Sequence, residues 1–489
     1  MKERSFYSNL FFSLGLNLLV KPVAIFLIDA AVQNEVGAEY GIYFAVFNLS
    51  LIFSILFDFG INNLSTKEAA QNLEAAKLQF TSIFSFRIAL MLFYLGGLFC
   101  CNLYLRLSWV EYKLILILGL NQFLIANIAY FRSFFAGLQW FRLDALFSVL
   151  DRILLICSMG YLIYLYPDGF KLVDIELYAL LQFGTYALTF IIAGSTIFLK
   201  VKPPLVMPKM AIVKSKFKQA FPYALLIVLM TLYTRIDGIM LKHLAGVEEA
   251  SYYAQSYRLI DALYMFAMVF AGLLFPMFAK MLKDNPQAIG TLVSQASKLL
   301  LGSSLAFMVF SLMRGGILMD QIYDHTSVES NNILFLLSIA FFGMASNLVY
   351  GSLLTANGSL KVLNTISFVG LLVNISVNLI LIPKVLNGGA VIAAGVAGLT
   401  QILVALAQAI YCKRLFKLPL VDRHFYRYPL LIVLLLFWFV FVDWTPIGYV
   451  YGNWILFIDV LATILLLFAL KFIDIKELIS LVQKRSKTQ

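Results

Sequence analysis

Seven cations and five anions interrupt long apolar runs of this sequence, and theirs is the chemistry to explain. The cations are Lys21, Arg87, Arg132, Arg152, Arg235, Arg258 and Lys298, and the anions are Asp58, Asp151, Asp237, Asp261 and Asp459. A charge embedded in apolar surroundings is costly and faces a wet cavity or a partner. Guanidinium and ammonium groups lining a cavity would offset the charge of a phosphate or diphosphate. Carboxylates in the same setting could take up a proton or a sodium ion, or hold a neighbouring cation.

Lys21 lies deep in its run and adjoins Pro22, whose missing amide should bend the helix. Arg152 has only Asp151 beside it, and neighbours at i,i+1 do not face each other on a helix. Lys21 and Arg152 are therefore the first candidates for a cavity wall. Arg235, Asp237, Arg258 and Asp261 flank a turn expected near residue 247. Across that turn Asp237 and Arg258 share one depth, and Arg235 and Asp261 share another. These four could pair between helices, or Arg258 with Asp261 at i,i+3, or serve cargo and coupling. Arg87 and Arg132 stand toward the ends of their runs, where long side chains snorkel to headgroups, and Arg87 is also kept as a cavity candidate. Lys298 lies roughly 13 Å into its run, near the limit of snorkelling. Asp58, close to Gly60, Asn62 and Asn63, suits an ion-coupling carboxylate or a helix cap. Asp459 is given no part in the site.

The elements that position these residues are membrane spans. Of 489 residues 62% are hydrophobic and 13% charged, with a mean hydropathy of +0.89. A water-soluble domain of this size needs far more charge to cover its surface. A span takes about 20 apolar residues. Fourteen runs qualify, at roughly 5–30, 40–64, 79–103, 112–136, 143–165, 175–199, 219–244, 251–279, 289–313, 331–356, 362–383, 389–412, 427–446 and 452–472. They lack period-2 alternation and are too long for barrel strands, so the expected class is an all-α polytopic membrane protein. The first run is too long for a signal peptide's h-region and lacks an A-x-A site, which makes it a retained helix.

With both termini cytoplasmic, most of the 37 lysines and arginines fall in inner segments, above all 200–218 and 413–427. The positive-inside rule thus absorbs the net charge of +11 without nucleic acid. Cys100, Cys101, Cys157 and Cys412 lie in apolar runs as small buried hydrophobes, without metal or CxxC spacing. His243, His325 and His424 fall in expected loops and form no cluster. No metal or organic cofactor is expected, and no G-x-x-x-x-G-K-[ST] phosphate loop occurs. The longest outer loop, about 314–330, has Asp320, Asp324, His325 and Glu329 but no Asp-x-Asp, which speaks against an enzyme of glycan assembly.

The chain also repeats itself. GAEYGIYFAVFNLSLIF (37–53) aligns with VEEASYYAQSYRLIDAL (247–263), pairing Glu39 with Glu249, Tyr43 with Tyr253 and Phe47 with Tyr257. Asn127, Tyr130 and Ala136 match Asn347, Tyr350 and Ala356 at a similar offset, although these asparagines, with Asn374 and Asn378, are read as helix-to-helix glue. The expected organisation is an N-lobe at 1–204, a C-lobe at 205–415, each of six helices around a central cavity, and two C-terminal helices with a basic tail at 416–489. The Lys-rich segment with Pro203, Pro204 and Pro208 would link the lobes. Duplicated halves facing a midplane cavity are the plan of secondary transporters.

Two stretches carry a family resemblance. TRIDGIMLKHLAGVEEASYYAQSYRLIDALY (234–264) and LFDFGINNLSTKEAA (56–70) resemble the O-antigen and polysaccharide flippases of the MATE-like MOP superfamily. The resemblance implies a polyprenyl-diphosphate-linked oligosaccharide as cargo, carried across the bacterial inner membrane by alternating access without ATP. It also implies contact with membrane lipids and with polysaccharide polymerase and assembly proteins. Essential cations on the first and eighth helices of the related lipid II flippases support Lys21 and Arg258 by position. The expected cationic site is then Lys21, Arg152, Arg258, Arg235, Lys298 and Arg87, with Asp237, Asp261, Asp58 and Asp151 as coupling groups or structural partners. The coupling ion would be H+ or Na+. An ion-coupled multidrug antiporter of the same fold and a lipid II flippase are the alternatives, the antiporter disfavoured because cations outnumber anions within the spans.

Overall fold

A computed structural model describes residues 12, 15–58, 60–105, 108–166, 168–204, 210–385, 387–418, 425–445 and 454–474. The N-terminal basic stretch at 1–11, Pro208 of the expected linker, His424 and the tail from 475 lie outside the described residues. Among those described, every regular element is helical. The first run passes through a π-helical turn at Ala24–Asp29 into α1 (Ala30–Val36). There follow α2 (Tyr40–Asp58), α3 (Ile61–Gln71), α4 (Leu73–Leu105), α5 (Trp109–Gly137), α6 (Phe141–Phe147), α7 (Leu150–Gly160) and α8 (Ile175–Lys200). After them come α9 (Met210–Leu244), α10 (Val247–Asp284), α11 (Ile289–Ile322) and α12 (Ser330–Ala356). The series ends with α13 (Leu360–Leu381), α14 (Gly389–Leu415), α15 (Arg427–Trp444) and α16 (Ile455–Ala469).

Among the described residues eleven helical segments are long and apolar enough to cross a membrane, against the fourteen expected. The first, Gly15–Asp58, runs through two expected spans, and Ile455–Ala469 is apolar but shorter. The ends follow local chemistry. Ser108 accepts from the Glu111 amide while the Glu111 carboxylate accepts from the Ser108 amide, a capping box that starts α5. The Asp174 carboxylate accepts from the Leu177 amide and starts α8. The turn expected near 247 falls at Ala245 and Gly246, where a φ of 102° suits glycine.

The chain forms two compact units, Met1–Ala254 and Gln255–Gln489. The core of the first gathers Phe80, Tyr130, Phe131, Phe134, Phe135 and Phe147 from helices α4 to α6. That of the second joins Leu305 and Phe310 of α11 to Leu431, Leu435 and Phe439 of α15 and Leu467 of α16. Outward faces are apolar too, as at Leu92 and Phe93, three-quarters exposed, because lipid rather than water surrounds a span.

Three expectations change. The outer loop assigned to 314–330 is largely helix, since α11 continues to Ile322. Of the cysteines only Cys412 is buried, while Cys100 and Cys157 are exposed on outward faces. His243 belongs to the last turn of α9 rather than to a loop.

Candidate functional site

In the first unit three of the sequence-predicted cations come together. Lys21 is half-buried and lies within electrostatic range of Arg132, Arg152, Asp144 and Asp151. Among the described residues it forms no ion pair. Pro22 follows it, and the helix widens into the π turn Ala24–Asp29 where an α-helical bond is lost. Arg152 is placed by α7, which itself ends in a π-helical run, Tyr161–Leu165. Its guanidinium stacks 5.6 Å from the Tyr186 ring on α8. Its Nε also reaches Asp151 Oδ2 at 3.3 Å, a contact the i,i+1 spacing argued against. Asp151 lies in the first turn of α7, after an irregular step at Val149, and there its side chain can fold back. Arg132 donates from Nε to Asp144 Oδ1 at 2.8 Å and so is paired instead of snorkelling.

Around this group lies a hydrogen-bonded network that the sequence reading missed. The buried Asp29 carboxylate accepts from Tyr40 Oη at 2.7 Å, Tyr178 Oη at 2.9 Å and Gln33 Nε2 at 3.2 Å. Tyr43 donates from Oη to Gln182 Oε1 at 3.0 Å, and its ring tilts against Tyr178 at 5.3 Å. Tyr178 and Tyr43 also lie within electrostatic range of Arg152. Three carboxylates (Asp29, Asp144 and Asp151), four tyrosines (Tyr40, Tyr43, Tyr178 and Tyr186) and three cations (Lys21, Arg132 and Arg152) thus share one region formed by the first helical run and helices α2 and α5 to α8. Such a site can hold a compact anion on the cations, while the buried tyrosine hydroxyls, committed to Asp29 and Gln182, brace the helices that carry them.

The remaining candidates have other neighbours. Arg87 is wholly buried, donating from Nη1 to the Ala126 carbonyl at 2.9 Å and from Nη2 to Asn62 Oδ1 at 2.7 Å. Its guanidinium lies 4.5 Å from the Tyr130 ring and 3.8 Å from Asp58 Oδ1. It neither snorkels nor lines a cavity, because four groups on neighbouring helices surround it. Asp58 accepts from the Asn62 amide at 3.2 Å, the cap-like role. Asp237 is buried and accepts from Tyr253 Oη at 3.2 Å. In the second unit Arg258 Nη1 lies 3.7 Å from Asp261 Oδ2, the expected i,i+3 contact, and Lys298 is buried in α11. Of the asparagines expected to join helices, Asn347 does so, donating to Gln401 Oε1 of α14 at 3.0 Å, whereas Asn127 donates to the Phe123 carbonyl of its own helix at 2.8 Å and Asn378 to Asn374 Oδ1 of its own helix at 3.4 Å.

Arg314, assigned to a loop by sequence, is buried in the second unit. Its Nε donates to Asp459 Oδ2 at 2.6 Å and its Nη2 lies 2.9 Å from Asp443 Oδ1. Trp438 Nε1 donates to the other oxygen of Asp459 at 2.9 Å. An acid inside a span needs a donor at its own depth, and Asp459 was the signal that could have found Arg314.

The family model of polysaccharide biosynthesis proteins matches residues 7–282, more than half of the chain. The fold is similar to that of the lipid II flippase MurJ in an inward closed conformation, with a TM-score of 0.69 and 17% identity, over 98% of this chain and 100% of that one. It is similar to an inward-facing multidrug resistance MATE transporter, with a TM-score of 0.63 and 14% identity, over 83% and 98%. A MOP superfamily transporter from Pyrococcus furiosus gives 0.59 and 14%, over 84% and 94%. No curated protein matches. At these identities the likeness shows the fold alone, and with eleven helical segments able to cross a membrane among the described residues the chain is a multi-pass membrane protein.

Proposed function

The chain belongs to the polysaccharide biosynthesis protein family, and on that footing we propose that it is a flippase carrying a polyprenyl-diphosphate-linked oligosaccharide, an O-antigen or other surface-polysaccharide unit, across the bacterial inner membrane. The cargo moves from the inner to the outer leaflet by alternating access of the lobes 1–204 and 205–415. Subsequent assembly by a polymerase consumes it. The observation that supports this reading is the group Lys21, Arg132 and Arg152, in which Asp144 and Asp151 pair with the two arginines, Asp29 is taken up by Tyr40, Tyr178 and Gln33, and Lys21 forms no ion pair among the described residues. A diphosphate passing through a low-dielectric region needs such compensation, and a cationic drug would be repelled by it. Arg235, Arg258 and Lys298 are the further cationic candidates of the same proposal. Uptake of H+ or Na+ drives the return step.

The test is translocation of a fluorescent undecaprenyl-diphosphate oligosaccharide in reconstituted vesicles, with wild type beside Lys21→Ala and Arg152→Ala. Loss of one charge-assisted contact of about 1.5–3 kcal/mol predicts a fall of roughly 10- to 100-fold in rate with folding intact. Export of cationic dyes under an ion gradient, with no movement of the lipid, would overturn the reading in favour of a drug antiporter.

A further inference from the structure

Between α4, α5 and α8 an apolar pocket of about 490 Å³ opens on the outward face of the first unit. Phe84, Phe131 and Phe190 form its floor, with ring centroids 5.3 to 6.5 Å apart. Phe198, Gly194 and Ser195 complete the wall on α8. Gly194 keeps the slot open, for a Cβ there would stand 3.3 Å from the Phe131 ring. The volume falls in the range of small-ligand sites, about 300–1,000 Å³.

The pocket's position says which lipid it meets. Its residues lie near the start of α4, the end of α5 and the end of α8, within roughly 16 Å of those termini. All three termini belong to the side that the positive-inside rule makes cytoplasmic, so the pocket lies in the cytoplasmic leaflet. Its rim there is basic. Lys200 follows Leu199 of the wall and holds its ammonium 5.4 Å from the Trp140 ring, and exposed Lys202 lies two residues further on, past buried Val201. An apolar slot with cations at its end fits a lipid with a compact, strongly anionic head and one long chain. Flat phenyl faces suit the planar double bonds of an isoprenoid.

We propose that this pocket holds the isoprenoid chain of the polyprenyl-diphosphate cargo in the cytoplasmic leaflet, with the diphosphate directed toward Lys200 and Lys202. The proposal rests on the flippase reading and adds a loading site to it.

A photoreactive p-benzoylphenylalanine replacing Ser195 in the full chain tests this, in vesicles of phosphatidylethanolamine and phosphatidylglycerol with added undecaprenyl diphosphate. Irradiation is expected to yield the undecaprenyl adduct by mass spectrometry, in preference to phospholipid adducts. Adding Gly194→Leu, which fills the slot, is expected to lower that adduct about tenfold and to slow translocation of the oligosaccharide-linked lipid. Adducts with phospholipid alone, no adduct, or an undecaprenyl adduct indifferent to Gly194→Leu would each overturn the pocket assignment. Wild-type translocation measured in the same vesicles separates the two ideas. Transport without the adduct removes the pocket and keeps the flippase, whereas the adduct without transport keeps the pocket as a prenyl-lipid site and removes the flippase.

Discussion

Arg314 and Asp459 meet at 2.6 Å with side-chain exposures of 4% and 0%, tying α11 to the C-terminal helix α16. Asp443 and the carbonyl of Phe439 bring α15 into the same knot. Removing Asp459 leaves the buried Arg314 with the half-exposed Asp443 as its remaining carboxylate and frees the donors of Arg314 Nε and Trp438 Nε1. Asp459→Ala is therefore expected to destabilise the protein by about 3 kcal/mol, read as a lower unfolding midpoint in detergent. Arg314→Leu combined with Asp459→Leu should recover most of the loss. A single variant as stable as wild type would refute the account.

Arg87 calls for a guanidinium, not merely a positive charge. Its two Nη groups reach Ala126 and Asn62 while its plane covers Tyr130. A lysine offers one donor head and no plane, so Arg87→Lys should cost about 2 kcal/mol. Thermal unfolding checks this, and an unchanged midpoint would show that charge alone suffices.

Asp29 is expected to matter for folding as well as for transport. Asp29→Ala removes the acceptor shared by Tyr40, Tyr178 and Gln33 in a buried region, at a cost of about 2 kcal/mol. Asp29→Asn keeps one acceptor oxygen and should lie between alanine and wild type. If all three proteins melted together, the network would have no structural weight.

On the proposed function, cargo reaching Arg152 has to displace Asp151, which contacts it at 3.3 Å. Asp151→Asn is accordingly expected to lower the cargo concentration at half-maximal transport several-fold, a change on the order of 1 kcal/mol. A raised or unchanged value would mean that Arg152 does not meet the diphosphate.

How far the site could be read from sequence turned on where helices end. Lys21 and Arg152 stood out because they sit deep in apolar runs with no obvious partner, and the structure places them within electrostatic range of each other. Asp29 was placed at the edge of a span expected at 5–30, but the helix continues to Val36 and draws it into the interior. Arg314 was set just outside a span expected at 289–313, but α11 runs to Ile322. An error of two turns moves an ionisable residue from loop to core, and hydropathy averaged over a window cannot see a helix end that is set by tertiary partners. Asp151 was misjudged for a different reason: i,i+1 geometry assumes regular helix, and α7 begins there after an irregular step at Val149.

The π turn at Ala24–Asp29 has a consequence for how the first helix works as a moving part. It stores one surplus residue between Lys21 and the far end of the helix. Were that residue to slip back into α-helical register, everything beyond it would rotate by about 100°, a full face of the cylinder. Lys21 and Asp29 would then change azimuth relative to each other with hardly a shift along the axis, and the hydroxyls of Tyr40 and Tyr178 would lose their acceptor. The helix bearing Arg152 stores a second such residue at Tyr161–Leu165. Two neighbouring cylinders that can each be re-indexed by one position provide a way to present and withdraw charge while the surrounding wall stays where it is.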